Sequence, residues 1–168
     1  MAIFMPDHYF HTILEVTPDF LKNKGIKAII LDVDNTLAVY EKQEPAEGVP
    51  EWIKEMKEAG FAMMIVSNNS AERIAPFAER IGVDFMPKSK KPLGIGIIRA
   101  CRKMNVSRCE TVMIGDQILT DILGGNLHGN RTILLDPFEL ETSRFFRAKR
   151  RFEKPFRERY HKRKGNRE

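Results

Sequence analysis

Cysteine is scarce in this sequence, and its scarcity excludes two kinds of site. Cys101 and Cys109 are the only cysteines, and they do not form a C-x-x-C motif. Two isolated thiols cannot build a disulfide framework or a zinc–thiolate cluster, and they are typical of a protein kept in a reducing compartment. We therefore expect a cytoplasmic protein with free thiols.

Long hydrophobic runs are also absent. No run approaches the roughly 20 apolar residues that a membrane span needs, and the first residues lack the basic segment and apolar core of a signal peptide. The chain has 168 residues, of which 42% are hydrophobic and 30% charged. This length and composition predict one folded domain with a full core.

Acidic residues are rare towards the C-terminus. Residues 142–168 hold 12 lysines and arginines against three acidic residues, a net charge of +9, whereas residues 1–141 carry a net charge of −4. The sequence thus divides into an acidic body, residues 1–141, and a basic tail, residues 142–168. We expect the tail to be dispensable for the chemistry of the candidate site, because the residues that form that site all precede it.

The tail has the pattern of a basic amphipathic helix. Phe145, Phe152, Phe156 and Tyr160 recur at spacings of 7, 4 and 4 residues, which places them on one helical face, while Pro155 predicts a break or kink. Such a segment favours peripheral binding to an anionic membrane surface. Nucleic acid is the second interpretation, since aromatic residues among cations also suit phosphates and bases. A disordered tail and packing of the aromatics on the body are further alternatives.

An apolar run at residues 29–31 ends in two aspartates, Asp32 and Asp34. In an extended strand, residues i and i+2 point to the same side, so both carboxylates can face one site. Two carboxylates this close repel each other unless a cation lies between them, and Mg²⁺ prefers oxygen ligands. From this stretch alone, a strand that ends in an ordinary Asx-turn is an equal alternative.

Apolar runs and helical patterns alternate along the body. This alternation predicts an α/β fold with a doubly wound parallel sheet. Strands are expected at residues 26–32, 61–66, 83–86, 111–114 and 131–135, and helices from residue 18 and at residues 50–59, 71–81, 93–104 and 118–128. Three predicted strands end in polar residues, namely Asp32 and Asp34, then Ser67 and Asn68, then Asp116. Each group could simply cap a helix, but the carboxyl edge of an open α/β sheet is where ligands bind.

The order of these residues resembles the four motifs of the haloacid dehalogenase superfamily. The similarity spans residues 26–136 and rests on Asp32-x-Asp34-x-Thr36, Ser67-Asn68, Lys91-Pro92 and Gly115-Asp116-x4-Asp121. The form of the first motif and the short chain resemble the YqeG-like subfamily of IIIA-type phosphatases, which is related to phosphatidylglycerophosphate phosphatases. The resemblance implies a Rossmann-like fold. Both intervals between the first three motifs are too short to hold a cap domain, so we expect an open site.

The resemblance also implies roles for these residues. Asp32 would attack phosphorus and form an aspartyl-phosphate, while Asp34 would protonate the leaving oxygen and later activate water. Thr36 would fix the loop that carries both aspartates. An acid/base carboxylate at Asp34 argues against dehalogenase chemistry.

Further roles concern the phosphate and the metal. Ser67 and Asn68 would bind phosphoryl oxygens, and Lys91 would neutralise the transferring group. Lys90 competes for that role, but the family pattern places the lysine immediately before proline. Mg²⁺ would be bound by Asp32, Asp116 and the main-chain carbonyl of Asp34. Asp121 would orient Lys91 or a water molecule on the metal.

The function expected from the sequence is Mg²⁺-dependent hydrolysis of a phosphomonoester. An open site suits a phosphate on a large substrate, and phosphatidylglycerophosphate is the substrate that the resemblance suggests. Such an enzyme would be cytoplasmic, with peripheral contact at the inner face of the membrane. The alternatives are a small soluble or nucleic-acid phosphomonoester, and a nucleic-acid-binding protein whose body has lost its activity.

Overall fold

The computed structural model describes residues 2–40, 42–139 and 144–165. Strands and helices alternate through the body, as the sequence pattern predicts. The elements are β1 (His8–Phe10), α1 (Pro18–Asn23), β2 (Ala28–Leu31), α2 (Val49–Glu58), β3 (Ala62–Val66), α3 (Ala71–Ile81), β4 (Asp84–Met86), α4 (Ile95–Met104), β5 (Thr111–Gly115), a π-helical turn (Ile118–Ile122), α5 (Leu123–Leu127), β6 (Arg131–Leu135) and α6 (Arg144–Gly165).

One parallel sheet of six strands carries the fold, in the order β1-β6-β5-β2-β3-β4. β2 lies inside the sheet, where Leu31 is in register with Ile65 of β3 and with Ile114 of β5. This register brings the carboxyl ends of three strands to one edge. The polar residues that follow them therefore meet there.

Both faces of the sheet are covered, which explains the unbroken apolar sequence of β2. Ile29 and Leu31 belong to the larger hydrophobic cluster, together with Phe77 of α3. Ile30, which points to the opposite face, belongs to a second cluster with Ile97 of α4. The predicted doubly wound parallel α/β sheet is confirmed.

Element boundaries follow the prediction closely, with one strand missed. The bounds of α3 and β6 are as predicted, and the other predicted strands and the helices α2 and α4 differ by at most two residues at either end. β1 was not expected from the sequence. Its three residues are only partly buried and pair with β6 alone, so no apolar run marks it.

Residues 118–128 do not form the single helix that the sequence predicts. A π-helical turn comes first, and α5 follows it. Ile122 N donates to Gln117 O at 3.3 Å, the i to i−5 spacing of a π-helix. The widened turn carries Asp121, whose position is described below.

Helix α6 is continuous from Arg144 to Gly165 with Pro155 inside it, so of the break or kink predicted at Pro155 the break does not occur. Phe156 packs on a cluster formed by Ile118, Ile122 and Leu134 of the body. The Tyr160 ring lies 5.9 Å from that of Tyr9. Phe152, in contrast, is 57% exposed, and the position of the Phe145 side chain lies outside the described part of the chain. The aromatic stripe thus packs in part on the body. Within the described ranges, no helix is long and apolar enough to cross a membrane.

Candidate active site

Asp32 and Asp34 follow the end of β2 and are both buried. Asp32 N donates to Ile114 O at 3.0 Å, which extends the β2–β5 pairing by one residue. The chain then turns sharply, with Asn35 in the left-handed region at φ 59°. Thr36 N donates to Val33 O at 3.1 Å, whereas the buried Thr36 hydroxyl has no hydrogen-bond partner among the described residues. Thr36 therefore contributes to the structure of this loop through its main-chain hydrogen bond.

Three buried carboxylates converge at this edge. One carboxylate oxygen from each of Asp32, Asp116 and Asp121 lies within 4.8 Å of the other two. Lys91 Nζ donates to Asp32 Oδ1 and to Asp121 Oδ1, both at 2.8 Å. One ammonium group balances only part of this negative charge. The remaining charge and the all-oxygen donor set fit a hard divalent cation such as Mg²⁺.

Burial and charge act against each other in this cluster. Burial raises the pKa of Asp32 to about 6, although the charge of Lys91 pulls it down. Burial alone would lower the pKa of Lys91, but the neighbouring carboxylates of Asp121 and Asp32 outweigh it and raise that pKa above its ordinary value. Lys91 therefore keeps its positive charge at neutral pH.

Asn68 holds the loop that carries Lys91. Its Oδ1 accepts from Lys91 N at 2.7 Å and from Ser89 Oγ at 2.9 Å, and its Nδ2 donates to Lys91 O at 3.1 Å. The amide of Asn68 is thus engaged with the protein. Lys90, the alternative lysine, is exposed. Of the two lysines, Lys91 is the one bonded to the acidic cluster.

Ser67 lies directly after β3 and is buried. Its hydroxyl accepts from Asn69 N at 3.2 Å, and its carbonyl accepts from Ser89 N at 3.0 Å. The first three motifs are therefore connected through hydrogen bonds between their loops. The carboxyl edge of the sheet brings together Asp32, Asp34, Ser67, Asn68, Lys91, Asp116 and Asp121.

Two residues that sequence reasoning missed bind Asp34. Asn69 Nδ2 donates to Asp34 Oδ2, and Arg73 Nη2 donates to Asp34 Oδ1, both at 2.6 Å. The Arg73 side chain is only 23% exposed. Because α3 starts just after β3, its first turn must lie at the same edge of the sheet. A charged residue on that first turn, four positions after Asn69, could have indicated that Arg73 belongs to the site.

Comparisons with known proteins agree with this geometry. A family model of haloacid dehalogenase-like hydrolases matches residues 4–129. The chain is 43% identical over 134 residues to the probable phosphatase YqeG of Bacillus subtilis, covering 80% of this chain and 78% of that protein. It is 26% identical to the chloroplastic phosphatidylglycerophosphate phosphatase 1 of Chlamydomonas reinhardtii, covering 70% of this chain and 47% of that protein.

The fold also has counterparts among solved structures. An uncharacterized protein from Listeria monocytogenes superposes with a TM-score of 0.59 at 19% sequence identity, covering 70% of this chain and 85% of that one. At this identity the likeness concerns the fold alone.

Proposed function

Since this chain belongs to the haloacid dehalogenase-like hydrolase family, we propose that it is a Mg²⁺-dependent phosphatase that works through an aspartyl-phosphate on Asp32. The family match and the 43% identical probable phosphatase confirm the expected class of enzyme, a phosphatase. The metal, the intermediate and the substrate are the proposal. The observation that carries it is the buried cluster in which Lys91 bonds both Asp32 and Asp121, with Asp116 beside them.

The ligands proposed for Mg²⁺ are the carboxylates of Asp32 and Asp116 and the main-chain carbonyl of Asp34. Their oxygen chemistry and their burial suit this ion. Asp121, the third carboxylate, bonds Lys91 and would orient either that lysine or a water molecule at the site. When bound, Mg²⁺ would neutralise charge on the phosphoryl oxygens and hold the phosphoryl group against Asp32.

The reaction would occur in two displacements at phosphorus. Asp32 forms a bond to phosphorus while the bond to the leaving oxygen breaks, and Asp34 gives its proton to that oxygen. Asp34 then takes a proton from water, the water oxygen attacks phosphorus, and Asp32 is released with inorganic phosphate. Lys91 and Ser67 would bind the phosphoryl oxygens, and Asn68 would keep Lys91 in place through the hydrogen bonds described above.

The ion pair between Arg73 and Asp34 adds a requirement to this scheme. Both oxygens of Asp34 accept short hydrogen bonds, one from Asn69 and one from the charged guanidinium of Arg73, and bonds from a charged donor are the stronger kind. To act as an acid, Asp34 must exchange one of these partners for the leaving oxygen. Arg73 is the partner we propose, because its guanidinium can then bind an anionic group of the substrate.

The substrate we propose is a phosphomonoester on a large molecule, with phosphatidylglycerophosphate as the specific candidate. Apart from connecting loops, the described residues between Asp34 and Ser67 form α2 and β3, and those between Ser67 and Lys91 form α3 and β4, so these residues include no folded cap over the site. One relative is named for this lipid, although the chain spans only about half of its length. Cytoplasmic location with contact at the inner membrane face would follow from such a substrate.

The outer face of α6 is a second feature that suits an anionic surface. Lys154 and Lys162 are exposed there, while the opposite face of the helix packs on the body. The same cations would suit a phosphorylated nucleic acid, which is the competing substrate. A nucleic-acid-binding protein without activity is disfavoured, because burying three carboxylates together costs stability and has no purpose without a bound cation.

A substrate screen tests the proposal. The purified protein would be supplied with Mg²⁺ and with micellar phosphatidylglycerophosphate, a terminally phosphorylated oligonucleotide, or a soluble ester such as p-nitrophenyl phosphate, with Asp32→Asn as the inactive control. We expect phosphate release that EDTA stops and Mg²⁺ restores, and fastest turnover of the lipid. Full activity of the metal-free enzyme, or none on any ester, would contradict the proposal. Faster turnover of the oligonucleotide would assign the competing substrate.

A further inference from the structure

Helix α6 contacts the loop that carries two of the three carboxylates. Arg157 Nη2 donates to the main-chain oxygen of Asp116 at 2.5 Å. The other guanidinium nitrogen, Nη1, donates to Leu135 O at 3.3 Å and to Asp136 Oδ1 at 3.2 Å. One planar side chain thus joins the carboxyl end of β5 to that of β6, immediately behind the acidic cluster.

Glu153 makes a second contact with the same loop. Its Oε1 accepts from Leu119 N at 3.1 Å, and the residue is 0% exposed. Glu153 and Arg157 are four residues apart and therefore lie on one face of α6. Their contacts bracket the segment between Asp116 and Leu119. Because both contacts are to main-chain atoms, they fix the path of the loop itself.

The helix is held in this position by apolar packing. Phe156, between the two polar contacts, packs on the cluster that contains Ile118 and Ile122, the first and last residues of the π-helical turn that carries Asp121. Its ring also lies 5.1 Å from that of Phe4. Packing of an aromatic ring against this cluster restricts how the turn can move.

We propose that α6 is a structural part of the metal site, in which Arg157 and Glu153 position the carboxylates of Asp116 and Asp121. Both residues act on the loop through its main-chain atoms, so we class them as positioning residues. The inference rests on the proposed function, since it supposes that Asp116 binds the metal. Partners that orient ligands in this way typically change metal affinity by about 10–100-fold when they are lost.

This inference reverses the expectation that the tail is dispensable for the chemistry of the site. Removing residues 142–168 would remove both positioning side chains together with the aromatic packing. Hydrolysis of p-nitrophenyl phosphate should therefore depend on α6, and the truncated chain should need more Mg²⁺.

Calorimetric titration with Mg²⁺ alone tests the inference on the full-length chain. The variants are Arg157→Ala, Arg157→Lys, which keeps the charge but loses the planar fork, and Glu153→Gln, which keeps an acceptor oxygen. The matched control is Arg151→Ala, at an exposed position of the same helix. We expect Arg157→Ala to raise the Kd for Mg²⁺ about 10–100-fold, Arg157→Lys to raise it less, Glu153→Gln to raise it least, and Arg151→Ala to leave it unchanged.

Melting temperatures of the metal-free variants separate positioning from general stability. A lower Tm with a wild-type Kd in both Arg157 variants would overturn the inference, because a merely structural role predicts that result. If Arg157→Ala does not fold, Arg157→Lys alone is compared with wild type, and a wild-type Kd for Mg²⁺ in that variant would overturn the inference. Wild-type protein that binds no Mg²⁺ would overturn both this inference and the proposed function, whereas normal Mg²⁺ binding by wild type and all variants would overturn this inference alone.

Discussion

At the scale of single residues, Asp32 combines reactivity with a cost in stability. Its carboxylate is buried beside two others, and its pKa is raised from 3.8 to about 6. A raised pKa means that the folded state binds this proton more tightly than the unfolded state does. The contribution of Asp32 therefore becomes less favourable to folding as the pH rises from about 4 to about 6, and the full penalty is present at neutral pH.

Replacing Asp32 with asparagine should abolish turnover and stabilise the metal-free protein. The variant loses the attacking carboxylate but keeps an oxygen that can accept from Lys91. At pH 7 we expect a gain on the order of 3 kcal/mol in the free energy of unfolding, and little of that gain near pH 4. Denaturant unfolding in EDTA at both pH values measures it. Near-normal turnover in this variant would refute the mechanism.

Arg73→Ala should impair Asp34 selectively. Without the guanidinium, the carboxylate loses one of its two short bonds and its orientation, which can cost up to about 100-fold in rate. The loss in kcat/KM, which reports the first displacement alone, should be large for an alkyl phosphate, whose leaving oxygen needs a proton, and small for p-nitrophenyl phosphate. Arg80→Ala, at the far end of α3 in an ion pair with Glu44, is the control. Equal losses on both esters would show that Arg73 does not act through Asp34.

At the scale of elements, the sequence was sufficient to predict a helix boundary wherever a residue next to the boundary ends or caps the helix. Thr17 caps α1 by accepting from Phe20 N at 3.2 Å, and Gly82 ends α3 in the left-handed region at φ 62°, so both boundaries could be predicted. The apolar run of β2 identified the central strand. β1 and the π-helical turn were missed, because their form is decided by partners distant in the sequence.

Some residues of the candidate site could likewise be predicted from the sequence, and others could not. Asp32, Ser67, Lys91 and Asp116 could be predicted, since each lies at a strand end or before a helix. The contact of Arg157 with Asp116 could not, because it joins residues 41 positions apart and depends on how α6 docks. The proline at 155 favoured a broken helix in the sequence, whereas packing of Phe156 and Tyr160 on the body supports a continuous one.

Gly115, the last residue of β5, lies close to the side chain of Asp121 in the turn that follows. A Cβ at this position would lie 2.3 Å from Asp121 Oδ2, so Gly115→Ala must displace that carboxylate. We expect weaker Mg²⁺ binding by calorimetry together with a lower Tm. Gly25→Ala is the control, since it strains a positive φ but contacts nothing within 4 Å. It should lower the Tm and leave the Mg²⁺ affinity unchanged; the same loss of affinity in both variants would exclude a local effect at Asp121.

At the scale of the whole molecule, α6 of the basic C-terminal segment packs on the acidic body through side chains between Glu153 and Tyr160. The buried face of α6 contributes Glu153, Phe156 and Tyr160 to contacts with the body. Its outer face presents cations. Surface binding is therefore better tested by changing exposed side chains than by removing the helix, because removal would also disturb the site.

Reversing charge on the outer face should weaken binding to anionic vesicles. Each cation near an anionic leaflet contributes about 1 kcal/mol, so the double variant Lys154→Glu/Lys162→Glu should lose at least about tenfold in affinity by vesicle co-sedimentation. The control Lys22→Glu/Lys54→Glu makes the same change in net charge at exposed positions of α1 and α2. Salt should weaken the wild-type interaction. Equal losses in both variants, or RNA that outcompetes the vesicles, would count against a lipid surface.

Trapping the phosphorylated enzyme tests the central claim most directly. Asp34→Asn would be mixed with Mg²⁺ and p-nitrophenyl phosphate, whose leaving group needs no proton, and quenched in acid within one turnover. Because the variant cannot activate water, we predict that it accumulates one phosphoryl group, which peptide mass spectrometry places on Asp32 and which hydroxylamine removes. Release of p-nitrophenol with no phosphoryl group on the protein, or with the group on a residue other than Asp32, would contradict the account.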